Sequence, residues 1–412
     1  MTNKFLAPPL AQHRRCAGPL GAYVEGFGAL LDARGYARAT EKEQLQFVAE
    51  FGRWLDRRRL GIDDVDERRG TEFVRARRRR GRVGRGDGTT LRALLEHLRQ
   101  LGVIPAPTPA VAPTGLSRVE QTFSLYLAQE RGLSRATLIN YLPVVRRFLS
   151  GRFATGAIRL DEIRLTDVTR FVSRHAHASS PGRVKLMLTA LRSFFRFLRL
   201  RGETAVDLAS SVLSVADWRL ARVPQWIPAA QVTQILRYCD QQTLVGQRDY
   251  TILLLLARLG LRAGEVVGMT LDDIDWDAGD LVVRGKGGRQ DRLPLPRDVG
   301  QALATYVRHG RPPCASRRVF ICAKAPRRGF TSSVAVCTIV RRALARAGLH
   351  PPSTGAHLLR HSLATEMLRR GASLTEIGEI LRHRHPDTTA IYAKVDLRAL
   401  RAVAPPWPGG AA

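Results

Sequence analysis

Two stretches of this chain repeat one another, and no other feature restricts the fold as much. The segment "ARGYARAT" (Ala33 to Thr40) matches "ERGLSRAT" (Glu130 to Thr137), and "IDDVDERRGTEFV" (Ile62 to Val74) aligns with "LDEIRLTDVTRFV" (Leu160 to Val172). Further on, "LRALLEHLRQLG" (Leu91 to Gly102) echoes "LTALRSFFRFLRLRG" (Leu188 to Gly202), so the offset stays near 97 to 100 residues and drifts only as loop insertions allow. Apolar side chains in each copy, such as Phe194, Phe197 and Leu198, return with the 3.6-residue period of a helix that buries one face. Each copy is therefore expected to be a small helical bundle. The proline- and alanine-rich "IPAPTPAVAPTG" between them reads as a semi-rigid linker. A second boundary falls at "VPQWIPAAQ". The expected division is a first bundle over 1–104, a linker over 105–115, a second bundle over 116–222, a third domain over 223–403 and a flexible tail over 404–412.

The third region predicts a mainly helical domain with one small β-hairpin. "QRDYTILLLLARLGL" is a buried helix, and "DLVVRGKGGRQDRLPLP" is two strands joined by a glycine-rich turn. "TSSVAVCTIVRRALARAG" starts on Thr/Ser and stops on Gly, as a capped helix does. "GAHLLRHSLATEMLRRG", "SLTEIGEILRH" and "PDTTAIYAKV" follow as helices.

Charge selects the partner. With 66 basic against 36 acidic side chains the net charge is +30, which favours a polyanion. The run "RARRRRGRVGR" contributes Arg75, Arg77, Arg78, Arg79, Arg80 and Arg82 as candidate contacts to a phosphate backbone, contacts that would carry no base information. Five cysteines without a CxxC pair argue against a disulfide framework or zinc ribbon and for a reducing cytoplasm. The longest apolar run, Ile252 to Ala257, is far too short to cross a bilayer, and the first residues lack a signal-peptide stretch. A cytoplasmic, membrane-free protein is expected.

Cations, imidazoles and one phenol are spaced through the third region: Arg262 in "GLRAGE", Lys286 in "GKGGRQDRLPLP", His357 and Arg360 in "HLLRHSLAT", His383 and Tyr392 in "LRHRHPDTTAIY". Together they supply what phosphodiester cleavage needs. Two guanidinium forks can hold the non-bridging oxygens. Lysine is scarce here, found only at 4, 42, 185, 286, 324 and 394, and unlike arginine it can surrender a proton; Lys286 reads as the general acid. His357 and His383 read as phosphate hydrogen-bond donors or proton carriers, His361 as structural and His385 as an exposed loop residue. A zinc site is disfavoured, because Leu358 stands where a zincin helix needs Glu and no carboxylate or cysteine cluster completes a ligand set. Tyr392 would attack phosphorus, provided its proton is accepted or its pKa is lowered.

These ordered motifs resemble the tyrosine recombinase, or phage integrase, family over Leu116 to about Val403, with the first bundle looking like an extra core-binding domain. The resemblance implies two SAM-like helical bundles followed by an α+β catalytic domain. It implies Arg262, Lys286, His357, Arg360, His383 and Tyr392 as the catalytic set, with Glu265 in support. It also implies strand transesterification through a 3′-phosphotyrosyl link without metal, ATP or other cofactor. The implied partner is double-stranded DNA carrying paired recombination sites, bound by a homotetramer or together with a partner recombinase. The amphipathic "DLRALRAV" (Asp396 to Val403) would dock on a neighbouring subunit. Arg382 departs from the family, which usually has glycine before that histidine; it is expected to reshape the turn or add a phosphate contact. Integration or transposition of a mobile element is the expected role. The alternatives are dimer resolution for a plasmid or chromosome, and a DNA-binding accessory protein without catalysis.

Overall fold

The computed structural model describes residues 18–82, 84, 86–106, 114–153, 157–212, 223–285 and 288–395. By packing, the chain divides into two compact units, Pro107–Ala221 and a second composed of Met1–Ala106 with Arg222–Ala412.

The first bundle is built from α1 (Val24–Ala33), α2 (Arg38–Asp56), α3 (Glu67–Arg79) and α4 (Asp87–Gln100). The second has the same order with α5 (Gly115–Leu125), α6 (Arg135–Arg152), α7 (Leu165–Ala176) and α8 (Pro181–Leu200). Their cores repeat position by position: Val48 and Val145, Phe51 and Phe148, Phe73 and Phe171, Leu91 and Leu188, Leu94 and Leu191 are all buried. The same ring pair closes each bundle, Phe51 against Phe73 at 4.9 Å and Phe148 against Phe171 at 5.4 Å. Burying such rings contributes roughly 1.5–3 kcal/mol each, so the repeated apolar positions alone account for the repeated fold.

Arg75 to Arg79 of the arginine run form the last turns of α3, whose start is capped by the Asp66 carboxylate accepting from the Arg69 backbone N–H at 2.7 Å. Arg75, Arg78, Arg79, Arg80 and Arg82 stand exposed. Arg77 does not: its guanidinium is ion-paired with Glu50 and, at 3.2 Å, with Asp87, and its side chain is only 16% exposed. That corrects the expectation for Arg77, which ties α2, α3 and α4 together instead of facing outward.

The third region packs α9 (Ala229–Arg237), α10 (Leu244–Arg258), α11 (Ala263–Gly268), α12 (Arg297–Thr305), α13 (Ser333–Arg346) and α14 (His357–Arg369) around one core. The uninterrupted apolar run needs no polar face, because α10 is covered by α12, α13 and α14 and Ile252 to Leu256 are all buried. Ser332 caps α13 by accepting from the Val334 N–H at 3.2 Å. The sheet has three antiparallel strands in the order β1 (Ile274–Asp275), β2 (Asp280–Arg284), β3 (Gln290–Pro294), with Val282 opposite Arg292. The hairpin agrees with the sequence pattern; β1 does not announce itself there, since two residues leave no alternation to read. A smaller core of Ala364, Ile377, Leu381 and Tyr392 joins α14 to α15 (Leu374–Ile380) and to the stretch 386–395. That stretch, expected as one helix, divides into α16 (Pro386–Thr389) and a 3₁₀ turn over Ala390–Val395. Among the described residues no helix is long and apolar enough to cross a membrane. The segment expected to dock on a neighbouring subunit, 396–403, lies outside the described residues.

Candidate active site

Arg262 ends the turn after α10, where Gly260 takes a left-handed φ of +57° and a Cβ would fall 2.6 Å from Leu381. Arg262 is also the residue before α11, and Glu265 folds back on it. The carboxylate accepts from the Arg262 backbone N–H at 2.8 Å and from Nη1 at 2.7 Å. Arg262 keeps 38% of its side chain exposed, whereas that of Glu265 is 6% exposed. Burial works to raise the Glu265 pKa, but the Arg262 N–H and the guanidiniums of Arg382 and Arg262 outweigh it and hold the carboxyl ionised below its ordinary range.

Arg360 is buried on α14 and donates through its two terminal nitrogens to the carbonyls of Gly260 and Leu381. It thereby ties the Arg262 turn to the end of α15. Desolvation, with Arg262 and Arg382 as neighbouring cations, brings its pKa down to about 10, so it stays charged at neutral pH. His357 opens α14 and is exposed; desolvation and the Arg360 and Arg262 cations hold its pKa below the usual imidazole value.

Tyr392 is 0% exposed. Its hydroxyl lies 2.8 Å from His361 Nδ1, and its ring stacks on His383 at 6.4 Å with 5° between planes. Burial pushes the phenol up to about 12 against the opposing pull of Arg360 and Arg262. His383 is fixed twice, by its backbone N–H donating to the Gly378 carbonyl at 2.9 Å and by ring Nδ1 paired with Thr389 Oγ1 at 2.7 Å. Desolvation and then nearby charge push His361 and His383 down to about 4, so both rings are neutral near pH 7.

The structure therefore gathers Arg262, His357, Arg360, His383, Tyr392 and Glu265 from the α10–α11 turn, α14, the turn after α15 and the 3₁₀ stretch. Lys286 lies outside the described residues, and the exposed arginines of the first bundle are not part of this cluster. Two residues take on contacts that sequence reasoning missed. His361, read as structural, holds the Tyr392 hydroxyl, and its i, i+4 spacing from His357 was the available signal. Arg382, expected to reshape the turn or add a phosphate contact, is buried with its side chain 4% exposed and paired to Glu265 at 2.9 Å. Its φ is +55°, which explains why glycine suits that position. Among the described residues no cluster of His, Cys, Asp or Glu offers a metal site.

A helical bundle ahead of this cation–imidazole–phenol cluster defines a DNA strand-transferring class. The phage integrase family profile matches residues 225–398, and the phage integrase N-terminal SAM-like domain matches residues 121–202. The chain belongs to the phage integrase family of tyrosine recombinases, enzymes that cut and rejoin DNA strands without metal or ATP. It is 45% identical over 408 residues to the integrase/recombinase y4rA of Sinorhizobium fredii, covering 99% of each chain. Tyrosine recombinase XerD of Mycobacterium tuberculosis is 31% identical over 302 residues, 69% of this chain and 94% of XerD. Two solved structures share the fold. XerH recombinase in a post-cleavage complex with palindromic difH substrate has a TM-score of 0.55 and 19% identity, covering 76% of this chain and 87% of that one. A lambda integrase dimer on a COC′ core site has a TM-score of 0.52 and 19% identity, covering 68% and 96%.

Proposed function

We propose that this recombinase moves or integrates a mobile element, using Tyr392 as nucleophile within a site made by Arg262, Lys286, His357, Arg360 and His383. The observation that carries the reading is the convergence of buried Arg360 and half-exposed Arg262 beside Tyr392, from three separate segments of the sequence. Two guanidiniums neutralise the phosphate oxygens, and the imidazoles of His357 and His383 hydrogen-bond to it. The phenol gives its proton to a neutral imidazole beside it, its oxygen bonds to phosphorus as the bond to the 5′ oxygen breaks, and Lys286 protonates the departing oxygen. Attack by the 5′ hydroxyl of a partner strand restores the phenol. One phosphoester replaces another at each step, so the free energy of the bond is retained in the protein link.

In the conformation described, no phosphate can reach a phenol that is wholly enclosed, so the 3₁₀ stretch Ala390–Val395 must move outward before cleavage. The test is trapping on nicked DNA from either flank of the coding sequence, followed by peptide mapping. Modification within the Tyr392 peptide is expected; modification elsewhere removes the reading. Replacing Lys286 by Arg should leave DNA affinity unchanged while slowing cleavage on the order of 10²–10⁴-fold. A substrate whose leaving oxygen is replaced by sulfur, needing no proton, should restore the rate.

The first bundle favours the mobile-element role. The match to XerD takes in 94% of XerD but only 69% of this chain, whereas the match to y4rA takes in 99% of both. In this reading residues 1–104 and 116–222 are DNA-embracing bundles and 223–403 the catalytic domain. Arg75, Arg78, Arg79, Arg80 and Arg82 then meet phosphates, giving an affinity that falls more steeply with salt than that of a chain lacking residues 1–104. Assembly as a tetramer on paired sites, with 396–403 docked on a neighbour, belongs to the same proposal. Sedimentation on two-site DNA, with and without that segment, is its check.

A further inference from the structure

The turn between α15 and α16 holds an arginine where its backbone favours glycine. Arg382 sits at φ +55°, a left-handed conformation unfavourable for a residue that carries a side chain. A strained position occupied by a long cation calls for a compensating contact, and the contact is specific. Arg382 Nη2 donates to Glu265 Oε2 at 2.9 Å, and Nη1 reaches the Ile380 carbonyl at 3.3 Å. The Arg382 carbonyl in turn accepts from Arg262 Nη2 at 3.4 Å. Glu265 therefore lies between two guanidiniums, one oxygen taking Arg262 Nη1 and the other taking Arg262 N–H and Arg382 Nη2.

The charges explain what the third partner adds. Were Glu265 paired with Arg262 alone, the buried carboxylate would cancel the cation that has to receive phosphate and would draw its fork inward. A second guanidinium on the far oxygen offsets that carboxylate. Arg262 is then oriented by Glu265 without being neutralised, and 38% of its side chain stays exposed. The backbone carbonyl of Arg382 adds a second fixed point on the same fork. Arg382 itself is too enclosed to touch DNA, with 4% of its side chain exposed.

We propose that Arg382 is a positioning residue, acting through Glu265 and its own carbonyl to hold Arg262 aimed outward as an uncancelled cation for the scissile phosphate. This rests on the reading of Arg262 as a phosphate ligand. The experiment compares Arg382→Met, Arg382→Gly, Glu265→Gln and the double variant Arg382→Met with Glu265→Gln. Three quantities are measured: single-turnover formation of the Tyr392 adduct on a nicked site, DNA affinity, and melting temperature. Arg382→Met should slow adduct formation roughly tenfold to a hundredfold at unchanged affinity, because a fork misdirected by about 1 Å is enough to do so. In the double variant no buried carboxylate remains to claim Arg262, so part of the rate should return, a coupling that a purely structural role would not produce. Arg382→Gly relaxes the backbone and removes the charge. It should melt near wild type yet cleave slowly, and it carries the test if the Met variant does not fold. Wild-type rates in Arg382→Gly, or no recovery in the double variant, overturn the proposal. Failure of the wild-type chain to form an adduct would instead overturn the catalytic reading beneath it.

Discussion

Tyr392→Phe should bind DNA as the parent chain does and form no covalent adduct with it. Loss of an obligatory nucleophile removes a factor on the order of 10⁴ or more, because no neighbouring group can form the same bond. The fold should tolerate the change well. The ring remains among Ala364, Ile377 and Leu381 and still stacks on His383. What disappears is one hydrogen bond to His361 at 2.8 Å, worth about 1 kcal/mol. A gel-shift assay beside denaturing gels of nicked substrate separates binding from attachment. An adduct that persists in this variant would assign the chemistry to another residue.

Arg360→Met should damage both stability and catalysis, and the two losses have different origins. Arg360 is 3% exposed and donates to the carbonyls of Gly260 and Leu381. Methionine fills much of the stem volume but leaves both acceptors buried without a donor, at about 1–3 kcal/mol each. That is a large share of the roughly 5–15 kcal/mol that holds a domain together. Cleavage should lose a further 10²–10³-fold, roughly the typical effect of removing one donor to a developing oxyanion. Arg360→Lys should rescue little, since an ammonium cannot span two carbonyls in the fixed geometry of a fork. Urea unfolding and single-turnover cleavage at low denaturant measure the two effects separately. A normal unfolding midpoint in Arg360→Met would refute the structural half.

The helical bundles were legible because each core position is written twice. Val48 and Val145, or Phe51 and Phe148, obey a local periodicity that survives without knowledge of the tertiary fold. The short, ordered boxes also pointed to Arg262, His357, Arg360, His383 and Tyr392, the residues that the fold brings together; Lys286 lies outside the described residues. The unread part depended on distant partners. Arg77 looked like one more exposed cation until Glu50 and Asp87 closed around it from other helices. Arg382 and Glu265 stand 117 positions apart, and no periodicity announces such a pair. Nor does spacing say whether a phenol is presented or enclosed, because that depends on how the 3₁₀ stretch packs onto α14 and α15.

If Tyr392 is the nucleophile, as proposed, its enclosure sets the order of events. A duplex that drifts past this molecule would then find cations but no attacking oxygen, and ordinary encounters would end in dissociation with the strands whole. The rate of strand scission would scale with the fraction of molecules whose 3₁₀ stretch has swung clear. Loosening or tightening that short stretch would therefore tune how fast the enzyme works without altering which sites it prefers, and so separates the control of timing from the control of choice.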